Sequence, residues 1–185
     1  MKTAGFRTDL AIEICEDLFA PIAPSAVHAL SGAEVILNLS ASPEVAGKRQ
    51  MRKDRVVAQS AACKCIYAFA SAGYTESTSD LVFSGHSIIA EDGVVLCENS
   101  SLTDTGYLMI QDCDLGKVRS QRRRSTTFRE AAARYGTDLS DLAPIVRKLR
   151  PDGSLYPLQK LPFIQSGIYI KLRCIKMVYI CYIYH

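Results

Sequence analysis

Short runs of apolar residues, each closed by a small or polar residue, recur along the first part of the chain. The first run extends from Leu10 to Ile14 and ends at Cys15, the second extends from Val35 to Ser40, and the third from Ile66 to Ser71. Runs of this length and closure are typical of buried β-strands. The pattern therefore predicts three strands.

The segments between these runs have helical patterns. Ser25 to Leu30 is followed by Gly32, which gives a short helix with a Ser start and a Gly stop. Gly47 to Lys64 has no Pro or internal Gly and is rich in Lys, Arg, Gln and Ala, so it predicts a helix of about four turns. Alternating strands and helices indicate a layered α/β sheet, and such sheets bind ligands outside the carboxyl ends of their strands.

Antiparallel strands are predicted further along the chain. Ser87 to Ala90 and Val94 to Leu96 flank an Asp-Gly dipeptide, which is a strong hairpin signal. Tyr107 to Ile110 is one more predicted strand. It leads into Arg119 to Arg124, in which Arg122 to Arg124 could form a nucleic-acid patch. Because the net charge is only +3, we expect a solvated or interface-facing strand edge instead.

Composition and charge exclude several classes of function. The 185 residues are 48% hydrophobic and 22% charged, as expected for one globular domain, and a net charge of +3 is too small to indicate nucleic acid as the main partner. The seven cysteines form no CxxC pair, which favours reduced thiols in the cytoplasm over disulfides or a metal site. The most apolar segment, Ile164 to Tyr184, contains three Lys or Arg residues, so we expect no membrane span or membrane partner.

Cys15 is the first candidate for chemistry, because it stands at a predicted strand end. A nucleophile on a sharp turn after a strand has an exposed side chain, and the following backbone N–H groups are available to an oxyanion. A buried, unreactive Cys is the alternative. The acidic neighbours of Cys15 would raise a thiol pKa, so a nucleophile here needs a cation and a base from elsewhere. Glu13 is the nearest carboxylate on the same strand that could act as a base, but we favour for it the role of a hydrogen-bonded structural carboxylate.

Two further candidates lie after the other predicted strands. Ser40 and Ser42, with Lys48 nearby, are suited to the amine and carboxylate of an amino acid, but Ser42 followed by Pro43 equally predicts an ordinary helix N-cap. His86, in the polar stretch after the third strand, is more often structural than a ligand.

Four segments together resemble the glutamine amidotransferase domains of glutamine-dependent NAD+ synthetases, which are members of the nitrilase (carbon–nitrogen hydrolase) superfamily. The resemblance extends from about Ala11 to Phe163. Its densest parts are EICEDLFAPIAPS from Glu13, GAEVILNLSASPEVAGK from Gly32, AGYTESTSDLVFSGHSIIAEDG from Ala72 and RSQRRRSTTF from Arg119. It implies the α-β-β-α sandwich of nitrilases, here incomplete.

The resemblance also implies roles for individual residues. Cys15 matches the nucleophile that attacks the glutamine side-chain amide to give a thioester and ammonia. Glu16 would offer its backbone N–H to the oxyanion, Phe19 matches a pocket-lining aromatic, Ser42 a hydroxyl that contacts the glutamine head group, and Lys48 a position suited to the glutamine carboxylate. No metal ligand is implied.

The resemblance is partial. Nitrilase chemistry uses a Glu, a Lys and a Cys, and the family's Glu and Lys lie well upstream of the Cys, where this chain has 14 residues. We therefore expect residues 1–163 to be the C-terminal portion of an amidotransferase domain, inactive alone, followed by an unmatched tail, 164–185. From Gly167 onward we expect this tail to take no part in the fold.

The resemblance implies glutamine and a synthetase domain as partners, in a homo-oligomeric enzyme that forms NAD+. No cofactor is expected in this segment, since ATP and Mg²⁺ would act in the synthetase domain. The alternatives are a stand-alone amidase and a non-catalytic remnant that serves as an association module.

Overall fold

The computed structural model describes residues 8–99, 108–136, 147–148 and 178–181. The strands are β1 (Asp9–Ile14), β2 (Val35–Ser40), β3 (Ile66–Ser71), β4 (Ser87–Glu91), β5 (Val94–Glu98), β6 (Met109–Asp112), β7 (Arg147–Lys148) and β8 (Val178–Cys181). The α-helices are α1 (Pro24–Leu30), α2 (Lys48–Cys63), α3 (Leu115–Arg124) and α4 (Thr126–Tyr135), with 3₁₀ helices at Cys15–Phe19 and Tyr74–Glu76.

Six of the strands form a mixed sheet in the order β5-β4-β3-β2-β1-β7. β1, β2 and β3 are parallel neighbours, which confirms the α/β arrangement expected from the alternating strand and helix patterns. The parallel register pairs Glu13 with Asn38 and Ser40 with Ser71. The carboxyl ends of the three strands therefore lie side by side at one edge.

The two faces of this sheet are covered by different groups of side chains. One face carries alternate residues of the strands, which pack with α1 and α2 around Ile36, Val56, Tyr67, Phe69 and Ile88. The other carries the residues between them, which pack around Leu10, Val35, Leu37, Leu115 and Val118. Because side chains alternate along a strand, the register decides which polar residues at the strand ends share the face that α1 and α2 cover.

The predicted hairpin is present between β4 and β5. Asp92 and Gly93 both have positive φ, at 47° and 83°, as a two-residue type I′ turn requires. A Cβ at Gly93 would lie 2.9 Å from the Ala61 side chain, so the close approach of α2 also requires glycine here.

The arginine run differs from its prediction. Arg122 to Arg124 belong to α3 instead of a strand edge, because the Asp114 side chain caps the helix by accepting from Lys117 N at 3.0 Å. Arg122 donates to the backbone carbonyls of Ala33 and Cys63, at 2.6 and 3.0 Å. It ties α3 to the end of α2.

The tail also differs from its prediction. Val178–Cys181 forms β8 and pairs antiparallel with β6, as a two-stranded sheet. The expectation that the tail takes no part in the fold is wrong for these four residues. The remainder of 164–185 lies outside the described residues.

No α-helix among the described residues is long and apolar enough to cross a membrane.

Candidate active site

Cys15 lies on a tight turn where β1 passes into the 3₁₀ helix Cys15–Phe19. Its φ is 49°, in the left-handed region that a residue with a side chain rarely adopts. The Asp17 carboxylate caps the turn by accepting from Ile14 N at 2.8 Å. The strand-end turn expected from the sequence is confirmed, and it carries backbone strain at the candidate nucleophile.

A buried polar cluster supports this turn from below. Tyr67 Oη donates to Glu13 Oε1, Ser25 N donates to Glu13 Oε2 at 2.8 Å, and Asn38 Nδ2 donates to Cys15 O at 3.4 Å. Burial, followed by the charge of Glu13, raises the pKa of Tyr67, so this phenol stays protonated as a donor. The interpretation of Glu13 as a hydrogen-bonded structural carboxylate is confirmed.

The Cys15 thiol has a polar neighbour of its own. Ser40 Oγ, at the end of β2, lies 3.4 Å from Cys15 Sγ. Both residues are half-buried. This pair joins two residues 25 positions apart in the sequence.

Ser42 is in a second buried cluster, centred on Arg52 of α2, which is fully buried. Arg52 Nη1 donates to Ser42 Oγ at 3.3 Å, and Arg52 Nη2 donates to Ser84 Oγ at 3.3 Å and to Glu44. The prediction of Ser42 as a helix N-cap is wrong, because α2 begins only at Lys48 and the extended stretch between them pairs Pro43 with Phe83.

His86 belongs to the same cluster, and the structure confirms its structural role. Its Nδ1 accepts from Arg52 Nε at 3.2 Å and its Nε2 donates to Glu98 Oε1 at 3.0 Å. Burial lowers the pKa of His86, so the ring is neutral in this arrangement. Glu98 also binds Lys53 Nζ at 2.7 Å, which connects the cluster to the surface of α2.

The remaining predicted site residues surround Cys15 in sequence or begin α2. Glu16 directly follows Cys15 and has an exposed side chain, while Phe19 ends the 3₁₀ helix and packs partly buried against the core. Lys48 is the first residue of α2, preceded by Gly47 with φ 80°. The structure places Ser40, rather than Ser42, beside the thiol.

Sequence reasoning assigned no role in the site to Asn38, Tyr67 or Arg52, and it gave Ser40 a role toward substrate rather than toward the Cys15 thiol. Each is identified by the strand register or by a helix packed on the sheet. One signal was present: Asn38 and Ser40 are two residues apart on β2, and Glu13 and Cys15 are two residues apart at the end of β1, which is the spacing of side chains on a shared face of a strand.

Comparison with known proteins defines the family. The carbon–nitrogen hydrolase model matches residues 2–123, and the chain belongs to this family. The fold is the α/β fold of the nitrilase superfamily. A solved member of branch 10 of that superfamily from Saccharomyces cerevisiae superimposes with a TM-score of 0.50 at 18% identity, over 63% of this chain and 41% of that one.

Two glutamine-dependent NAD(+) synthetases are more similar to this chain in sequence than that solved structure is. The glutamine-dependent NAD(+) synthetase of Mycobacterium leprae is 37% identical over 163 residues, which is 85% of this chain and 24% of that protein. The enzyme of the same name from Mycobacterium tuberculosis (strain H37Rv) is 36% identical over the same lengths. The chain thus spans about a quarter of the length of these curated relatives.

Proposed function

We propose that this chain is the glutamine-hydrolysing part of a glutamine-dependent NAD+ synthetase and that Cys15 is its nucleophile. The observation that carries the proposal is the left-handed Cys15 at the end of β1, with Ser40 beside its sulfur. The synthetases from Mycobacterium support it by their similarity across 85% of the chain.

In the proposed reaction, Cys15 Sγ attacks the side-chain amide carbon of glutamine. The new carbon–sulfur bond gives a tetrahedral intermediate, whose oxyanion is stabilised by the backbone N–H of Glu16. The carbon–nitrogen bond then breaks, ammonia leaves with the thiol proton, and a thioester remains. Water hydrolyses the thioester to glutamate and frees the thiol.

Glu13 is not the base for these proton transfers. Its carboxylate accepts from Ser25 N and Tyr67 Oη, so its oxygens serve the structure of the turn. By resemblance, a Glu and a Lys from segments preceding residue 15 supply the base and the cation. The 185-residue polypeptide by itself is therefore expected to be inactive, because loss of a general base alone typically costs about 10²- to 10⁴-fold.

We assign recognition of the glutamine head group to Ser42 and Lys48, and part of the pocket wall to Phe19. Arg52 donates to Ser42 Oγ, so the Ser42 hydroxyl directs its own proton to a different acceptor. A substrate carboxylate is a suitable acceptor. The ammonia would feed a synthetase domain that uses ATP and Mg²⁺ to amidate nicotinic acid adenine dinucleotide, in a homo-oligomeric cytoplasmic enzyme.

The test uses a fusion in which this chain replaces the matched residues of the M. leprae relative. NAD+ formation is measured with glutamine and, separately, with ammonium as the nitrogen donor. Cys15→Ala should abolish the reaction with glutamine and leave the reaction with ammonium unchanged. Ser42→Ala and Lys48→Ala should impair the use of glutamine only, since ammonium bypasses the pocket.

The outcomes separate the alternatives. Steady glutamine hydrolysis by the unfused chain that disappears in Cys15→Ala contradicts the expected inactivity and favours a stand-alone amidase. Equal loss with both nitrogen donors in Ser42→Ala assigns this residue a structural role. A folded fusion that uses ammonium but never glutamine contradicts the proposal and favours a non-catalytic association module.

A further inference from the structure

The Ser40 hydroxyl lies next to the Cys15 sulfur and takes no part in the reaction steps proposed so far. We propose that Ser40 is a further catalytic residue, whose hydroxyl donates a hydrogen bond to Cys15 Sγ and stabilises the sulfur as a thiolate poised for attack. The inference rests on the proposed role of Cys15 as nucleophile. The observation that supports the inference is the distance of 3.4 Å between Ser40 Oγ and Cys15 Sγ.

The sheet fixes the position of Ser40. The register of β1 and β2 ends with Ile14 opposite Leu39, so the residues that follow them, Cys15 and Ser40, are neighbours. On its other side, Ser40 pairs with Ser71 of β3, and its carbonyl accepts from Ala72 N at 2.8 Å. A hydroxyl anchored between two strands loses little freedom when it binds the sulfur, which makes it a preorganised donor.

Other hydroxyls at this edge of the sheet have different partners. Ser42 Oγ accepts from Arg52, and Ser71 Oγ accepts from Ser42 N at 3.2 Å. Among the residues that the structure describes, Ser40 is the one whose side chain is hydrogen-bonded to the Cys15 sulfur. The sequence neighbour Ser42 is therefore not interchangeable with it.

The charges around the thiol explain why such a donor matters. Glu13 of β1 and Glu16 and Asp17 of the 3₁₀ helix are acidic, and on α1 His28 is kept neutral because burial lowers its pKa. Nearby carboxylates oppose formation of a thiolate. A neutral hydroxyl donor binds an anionic sulfur more strongly than a neutral thiol, so it favours the anion without adding charge.

The experiment measures alkylation of Cys15 by iodoacetamide across a range of pH. The 185-residue chain is labelled, digested and analysed by peptide mass spectrometry, so that Cys15 is followed separately from the other six cysteines. Four variants are compared: Ser40→Ala, the isosteric pair Ser40→Thr and Ser40→Val, and the control Ser79→Ala, which removes an exposed hydroxyl. Circular dichroism and a thermal melt establish that each variant is folded.

We expect loss of the hydroxyl to raise the midpoint of the rate-against-pH profile by about one unit. Below that midpoint the thiolate fraction falls about tenfold, while the more basic thiolate reacts about threefold faster, so the net rate falls about three- to fourfold. Ser40→Ala and Ser40→Val should show this shift. Ser40→Thr should keep the profile of the unmodified chain, as should Ser79→Ala.

Equal midpoints for Ser40→Thr and Ser40→Val would overturn the inference, because these variants share their shape and differ in the hydroxyl. If Ser40→Val does not fold, an unshifted profile for Ser40→Ala overturns it in the same way. Since alkylation needs neither glutamine nor turnover, a shifted midpoint combined with a fusion that never uses glutamine would refute the proposed function and leave the Ser40 hydrogen bond established.

Discussion

Replacement of Arg52 by Ala tests whether the buried cluster on α2 stabilises this part of the fold. Arg52 is 0% exposed and binds three groups from two separate segments: Ser42 after β2, and Ser84 and His86 before β4. Removing the guanidinium deprives all three of a donor. It also leaves the Glu44 carboxylate without its buried partner.

The expected loss in free energy of unfolding follows from these contacts. Each of the three neutral partners loses a hydrogen bond worth about 1 kcal/mol, which gives about 3 kcal/mol. The ion pair adds less than about 1 kcal/mol, because the Glu44 side chain is 25% exposed and water can solvate its charge. A total of about 3–4 kcal/mol corresponds to a drop of about 10 °C in the melting temperature of a domain of this size.

The assay is unfolding of the 185-residue chain in urea, followed by circular dichroism. Arg55→Ala is the matched control, since Arg55 lies three residues further along α2 and is exposed. A lower midpoint at unchanged slope in Arg52→Ala, with Arg55→Ala near the unmodified chain, supports the reasoning. Stabilities of the two variants within about 1 kcal/mol of each other would refute it.

Two further predictions concern stability. Arg122→Ala removes donors from backbone carbonyls at the end of α2, including those of Cys63 at 3.0 Å and Lys64 at 2.9 Å, and should lower the free energy of unfolding in urea by about 2–3 kcal/mol. Replacement of the exposed Arg123 by Ala should lower it by less than about 0.5 kcal/mol, and equal losses in the two variants would contradict the structure. Burial lowers the pKa of His86 below its ordinary 6.5, so the unfolded chain takes up a proton first as the pH falls, and stability should decline as the pH is lowered through about 6.5. His86→Gln should flatten that decline between pH 7 and 5, and an unchanged slope would contradict the assignment.

The strands and helices that position the site were predictable because their patterns are local. The three parallel strands and α2 were predicted to within about two residues of their bounds, since each is a continuous run closed by turn residues. Cys15 was predicted as the candidate nucleophile because it follows the last residue of β1. Four matching segments in a preserved order then indicated the family.

The contacts between side chains were not predictable in this way. Ser42 followed by Pro43 has the sequence of a helix start, but the chain stays extended there because Pro43 bridges to Phe83 and Glu44 N donates to Val82 O at 2.7 Å. Tertiary pairing overrides the local signal. The burial of Arg52 could not be predicted from the sequence either, because helices rich in Lys and Arg usually direct their charged side chains to solvent.

The environment of Glu13 explains how an acidic residue can lie close to Cys15, the candidate nucleophile. Its carboxylate accepts a hydrogen bond from Tyr67 Oη, and a second from Ser25 N at the start of α1. These donors satisfy the buried carboxylate, and Asn38 links the same cluster to the carbonyl of the strained Cys15. Glu13 therefore anchors the turn that carries the Cys15 thiol.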